Sequence, residues 1–161
     1  LKLELSWGHS TLVKKNPQYI YKNTAPYKKM NILFVCQDTR MSSIASVYFN
    51  KMSKKHISLC AGSSVGLKKD FPLYLAVVKC MDEDGYDLSR RKRKQLTPQR
   101  INWADKIIYL AEKKELPEEL QNSEKVTLWK IKDAKGKFPI FYVKMRDKIK
   151  KEVKNLIEDL E

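Results

Sequence analysis

Two histidines and three cysteines are all the imidazole and thiol ligands that this 161-residue chain contains. They show no paired, ligand-like spacing, which argues against a structural zinc site. An odd number of cysteines spread over a mixed helix and strand pattern does not describe a secreted disulfide framework. No apolar run is long enough to span a bilayer, and the N-terminus lacks the apolar core of a signal peptide. A soluble, cytoplasmic chain that stays off membranes is therefore the expectation. No internal repeat is present, and the length suits one domain with a real core. Acidic residues are also short, 19 against 33 Lys and Arg, for a net charge of +14.

That positive excess is compatible with nucleic acid, an acidic surface or a phosphorylated partner. Its focus is Arg90, Arg91, Lys92, Arg93 and Lys94, with no interleaved aromatic platform. The run lies between residues 85–89 and 95–98, inside the domain, and reads as a solvated basic loop. Nucleic acid is thus a partner the charge permits and the pattern does not favour.

The most informative stretch is Asn31, Ile32, Leu33, Phe34, Val35 and Cys36, an apolar run that ends in a thiol. Such a run reads as a buried parallel strand. The polar turn Gln37, Asp38, Thr39, Arg40, Met41, Ser42 and Ser43 follows, and helix-spaced apolar residues begin at Ile44. A helix starting there aims free N–H groups and the positive end of its dipole at the turn, which favours an anion and a thiolate. Cys36 has the location of a nucleophile. It also has the location of a small apolar filler at a strand end.

Strands alternate with helices along the rest of the chain. Strand signals cover residues 32–35, 57–61, 106–111 and 126–131, with helices from about Ser43, over 72–84, and from Thr97 and Pro98, where threonine caps and proline takes the first turn. Tyr142, Met145, Ile149, Val153, Leu156 and Leu160 then mark one face of a long amphipathic helix. This alternation predicts an α/β fold, a three-layer sandwich around a four-stranded parallel sheet, with its ligand site beyond the strand C-termini. Cys36 and Asp133 both fall at that edge. Residues 1–29 lack a clear period and stand apart as an N-terminal extension, read as a flexible arm, a docking segment or upstream sequence; 30–161 form the domain.

Several pieces now fall into a known order. The strand ending in Cys36, Ile44 and Ala45 with Phe49 behind it, Ala61-Gly62-Ser63, residues 85–89 through 95–98, Trp103-Ala104-Asp105, and finally Asp133 resemble the low-molecular-weight protein tyrosine phosphatases and their arsenate-reductase relatives. The resemblance runs from about Asn31 to the C-terminus. It implies a phosphotyrosine protein phosphatase I-like fold and hydrolysis of phosphotyrosine or a small phosphoester. In that mechanism Cys36 attacks phosphorus, Asp133 protonates the leaving oxygen, and water hydrolyses the cysteinyl phosphate. Residues 37–43 would bind the phosphate, a phosphorylated protein or small phosphoester would be the partner, and no cofactor or metal is implied.

The phosphate loop departs from the family pattern of Cys, five residues, Arg, then Ser or Thr. An ungapped count puts Ser42 in the arginine position and Ser43 in the serine position; a one-residue deletion puts Met41 in the arginine slot. Arg40 comes too early, and serves only if the loop takes an altered course. Asp38 brings a carboxylate into a cradle meant for a dianion, Thr39 replaces a bracing asparagine, and Asp133 is followed by Ala134 rather than proline. A lost donor of this kind costs roughly two to three orders of magnitude in rate. Two functions stay open, a weak or inactive phosphatase and a non-catalytic pseudophosphatase acting as a binding or regulatory module. Without the resemblance, Asp133 reads equally as a loop or capping carboxylate and Ser43 as the cap of the first helix. Cys60, Cys80, Tyr142, Trp103 and Trp129 read as packing residues, and residues 111–114 lack the further cysteines that thioredoxin-coupled arsenate reductases need.

Overall fold

The computed structural model describes residues 28–113 and 115–161. The expected extension therefore lies outside the described residues for all but Lys28 and Lys29. Four strands form one sheet: β1 (Asn31–Cys36), β2 (Ile57–Gly62), β3 (Lys106–Ala111) and β4 (Val126–Lys130). All neighbours pair in parallel, in the order β2-β1-β3-β4. The helices are α1 (Arg40–Met52), α2 (Leu75–Asp82), α3 (Pro98–Trp103) and α4 (Pro139–Leu160).

Side chains alternate across β1, so its apolar run divides between two cores. Ile32, Phe34 and Cys36 join Ile108 and Leu110 of β3 under α1, α2 and α4. Leu33 and Val35 join Ile107 and Tyr109 on the opposite face, beneath α3 and the turn at Leu120. This is the expected three-layer sandwich. The strand that carries Cys36 is covered on both faces, which explains why its sequence is apolar without alternation.

The long helix α4 turns Tyr142, Met145, Ile149, Val153 and Leu156 inward, as their spacing predicts. It is tied to the other helices by polar contacts in a mostly apolar layer, one of them from Arg146 to the Cys80 carbonyl at 2.7 Å. Tyr48 of α1 is fully buried, and its hydroxyl donates to Asp84 at 2.6 Å, while Lys150 of α4 donates to the same carboxylate oxygen at 2.9 Å. Burial, then the neighbouring Asp84, pushes the Tyr48 phenol up in pKa. It therefore remains a donor across the working pH range.

Two boundaries differ from expectation. Helix α2 begins at Leu75 rather than Pro72, because residues 71–73 lie extended beside 91–93, with Pro72 bridged antiparallel to Lys92. It ends at Asp82 rather than Asp84, and the turn that follows closes at Gly85, whose φ is +86°. The basic run is thus half of a strand-like pairing: Arg93 donates to the Pro72 carbonyl and Lys94 pairs with Asp70, while Arg90, Arg91 and Lys92 stay exposed. At the sheet margin Asn50 reaches from α1 to Ser58 of β2, accepting from its N–H at 2.7 Å and donating to its carbonyl at 3.0 Å. No helix among the described residues is long and apolar enough to cross a membrane.

Replacing Tyr48 by phenylalanine keeps the ring and removes one hydrogen bond to a carboxylate. The expected loss is about 1.5–3 kcal/mol of stability, seen as a lower urea midpoint with an unchanged slope. An unaltered midpoint shows that the Tyr48–Asp84–Lys150 contact does not hold the helices together.

Candidate active site

Cys36 ends β1, and α1 begins at Arg40, a turn earlier than the sequence pattern indicates. Two local features advance the helix. Asp38 Oδ1 accepts the Arg40 N–H at 3.2 Å, and Thr39 adopts φ +77°, a left-handed conformation rare for a β-branched residue. Only Gln37, Asp38 and Thr39 remain as a turn. Met41, Ser42 and Ser43 lie in the first helical turn.

This early start decides which serine meets the thiol. The Cys36 thiol donates to Ser42 Oγ at 3.3 Å, Ser42 Oγ donates onward to the Ala61 carbonyl at 3.0 Å, and the Ser42 N–H points back at sulfur at 3.4 Å. The expected capping role of Ser43 is not realised. Its hydroxyl donates to the Arg40 carbonyl at 3.0 Å inside the helix, and the Thr39 side chain at the capping position makes no cap bond either. The carboxylate of Asp38 has taken that work. Burial pushes the Cys36 thiol up in pKa; Ser42 pulls against this, and the Asp38 charge adds to it. The thiol is 1% exposed, so the described form holds it neutral and covered.

Arg40 does take an altered course. Its guanidinium is 3% exposed and lies over the Tyr74 ring, 4.7 Å from the centroid. Nη2 pairs with Asp38 and, at 3.1 Å, with Asp133 Oδ2. Burial opposes its charge, but Asp133 and Asp38 outweigh it and hold the guanidinium more firmly protonated. Asp133 Oδ1 accepts from the Lys135 N–H at 3.0 Å, closing a short turn after β4. Asp133 is not the cap of α4, which starts six residues later. The loop and the strand-four aspartate are therefore joined by one buried cation.

Over this layer lies a cleft of about 390 Å³. Gln37, Asp38 and Met41 line it with Asp133, whereas Cys36, Thr39, Arg40, Ser42 and Ser43 lie buried below. Glu112 and Glu115 add two carboxylates and Lys113 one ammonium. The cleft is acidic on a protein that is strongly basic.

Residues to which the sequence pattern assigns no role support the turn. Gln95 Oε1 accepts from Val65 N–H at 3.0 Å and Gly66 N–H at 3.1 Å, and its amide donates to the Ser63 carbonyl at 3.0 Å. The segment it braces donates from Ser63 and Ser64 N–H to the Cys36 and Gln37 carbonyls, both at 2.8 Å. A Cβ on Gly62 would lie 2.6 Å from Val65 Cγ2 and 3.0 Å from the Gln37 carbonyl, so glycine is required for this approach. Tyr74 sits beneath both Arg40 and Arg93, the latter at 3.8 Å. Cys80 is buried as expected, whereas Cys60 is half-buried on the edge strand. Burial pushes each thiol up to about 11.

No protein-family profile matches the sequence, and no curated protein matches it. Solved structures do. A low-molecular-weight protein tyrosine phosphatase from T. tengcongensis superposes with a TM-score of 0.72 at 22% identity, covering 81% of this chain and 99% of the other. Vibrio vulnificus Wzb, solved in complex with benzylphosphonate, gives 0.71 at 16% identity over 82% and 99% of the two chains. An arsenate reductase from Archaeoglobus fulgidus gives 0.63 at 26% identity over 79% and 98%. The fold is that of the low-molecular-weight phosphatase and arsenate reductase superfamily.

A neutral, covered thiol has a measurable signature. Iodoacetamide at neutral pH is expected to label Cys36 more slowly than free cysteine, with a rate that climbs as pH passes the ordinary thiol range. Asp38→Asn should speed the labelling, since it removes a charge that opposes the thiolate. Rapid labelling of the Cys36 peptide at neutral pH, followed by mass spectrometry, contradicts this state of the thiol.

Proposed function

We propose that the protein is a phosphatase of the low-molecular-weight type in which hydrolysis of phosphotyrosine or a small phosphoester is weak, because its own carboxylates occupy the anion site. Cys36 is the nucleophile of this reading and Asp133 the general acid. The thiolate attacks phosphorus in line and the ester oxygen leaves with a proton from Asp133. Water then cleaves the cysteinyl phosphate, releasing inorganic phosphate and restoring the thiol. Residues 37–43 form the phosphate site, and a phosphorylated protein or small phosphoester is the substrate.

The observation that carries the reading is the double pairing of Arg40. A transferring phosphoryl group spreads charge over three oxygens and needs donors free to meet them. Here the guanidinium near the loop is spent on Asp38 and Asp133, and the Asp133 oxygen needed at the leaving group is spent on Arg40. A dianion entering the turn meets Asp38 before any cation. The contact of Ser42 with sulfur favours the alignment with one residue fewer in the loop, which leaves Met41 where the family carries arginine. Superposition on a protein bound to benzylphosphonate supports the phosphate-ester class.

A non-catalytic binding module is the second reading, favoured by the burial of the Cys36 thiol. Turnover of p-nitrophenyl phosphate separates the two. The parent chain is expected to fall roughly 10²–10³-fold below an intact low-molecular-weight phosphatase. Asp38→Asn should raise the rate, because it frees one contact of Arg40 and removes a repelling charge. Cys36→Ser should abolish turnover in both backgrounds. Turnover at the level of an intact enzyme overturns the attenuated reading, and a residual rate indifferent to Cys36→Ser and Asp38→Asn establishes the binding module instead.

A further inference from the structure

A second pocket, of about 250 Å³, lies between the end of β4 and the first turns of α4. Its floor is apolar. Ile131, Ala134 and Met145 are buried there, and Phe141 stands at the wall, 39% exposed. Its rim is basic, formed by Lys132, Lys137, Lys144 and Lys148. The ammoniums of Lys137 and Lys144 lie 5.7 and 5.6 Å from the Phe141 ring centroid.

The negative groups nearby are already engaged. Asp133 is held by Arg40 and the Lys135 N–H, and Glu152 pairs with Lys148 at 3.5 Å. Among the described residues, Lys132, Lys137 and Lys144 have no carboxylate within ion-pair distance. Their positive field is therefore uncompensated, over a surface that gains by leaving water.

We propose that this pocket is a binding site for a small aromatic anion, its ring against Phe141 and Met145 and its acidic group among Lys132, Lys137 and Lys144. Each half of the site rejects a simpler ligand. An apolar molecule covers the floor but leaves three ammoniums without a counter-charge. A bare inorganic anion meets exposed lysines in water, where attraction is weak and screened, and gains nothing from the floor. A molecule with both parts satisfies both. The site is distinct from the acidic cleft, since the two share Asp133 alone among their lining residues and Asp38, Glu112 and Glu115 line the cleft and not this pocket. Its occupant would rest on Ile131 to Ala134, the segment that carries Asp133.

An amide-resolved NMR titration of the full chain with naphthoate tests this. Saturable shifts are expected at residues 131–134 and 137–148. Lys137→Gln combined with Lys144→Gln should weaken binding roughly tenfold, and added salt should weaken it in the parent chain. Naphthylmethanol, with the ring but no charge, should bind more weakly, and inorganic phosphate should leave the amides of residues 137–148 unmoved. Shifts centred elsewhere, such as residues 67–75, overturn the proposal. So do equal affinity for the neutral analogue, salt-insensitive binding, or an unsaturable response.

Discussion

One buried guanidinium sets the arrangement at the C-terminal edge of this sheet. Arg40 enters the interior because two carboxylates at Nη2 and the Tyr74 ring offset the loss of water, although its Nε is buried without a partner; without those contacts a buried charge is costly. Its position in turn fixes Asp38 over the start of α1, Thr39 in a left-handed turn, and Asp133 against the loop from the far side of the sheet. Ser42 is carried toward sulfur by the same early helix start. A different direction for one side chain would change which residues face the cleft.

Much of the scaffold is legible in the sequence, for physical reasons that act locally. A run such as Lys106–Ala111 has only one stable place, a strand covered on both faces, and it is found there with the bounds its composition indicates. Thr97 and Pro98 open α3 as capping chemistry dictates, with Thr97 accepting the Arg100 N–H. The loop was harder to read because its determinants are not local. The rule that keeps threonine out of positive φ points away from the conformation Thr39 adopts, and a serine beside an apolar run is the usual cap, yet Asp38 displaces it. The direction of Arg40 depends on Asp133, 93 positions away, and no pattern along the chain connects them. Tyr74 carries no signal of its own beneath the two arginines. For Gln95 a signal was present, in a segment that matched the family, but without its function.

The two concavities beside Asp133 carry opposite charge although they share a residue. Carboxylates gather around the cleft above the thiol, and lysines gather around the apolar hollow behind it. The overall charge of +14 is therefore a poor guide to what either surface meets. Local arrangement decides it, because the exposed charges of one hollow are screened from the other within about 10 Å at ordinary salt.

The contact of Asn50 with Ser58 bears on association between molecules. A terminal strand with open N–H and C=O groups is a template on which another chain can extend the sheet. At Ser58 both groups are already taken by a side-chain amide that imitates a peptide unit, so an incoming strand finds its register interrupted near the start of β2. Ile57 and Leu59 on either side, partly exposed at 38% and 41%, would otherwise reward such docking. With the Gly62 N–H and carbonyl taken at the other end of the strand by Lys94 and Leu96, the asparagine leaves little open edge for lateral growth of the four-stranded sheet.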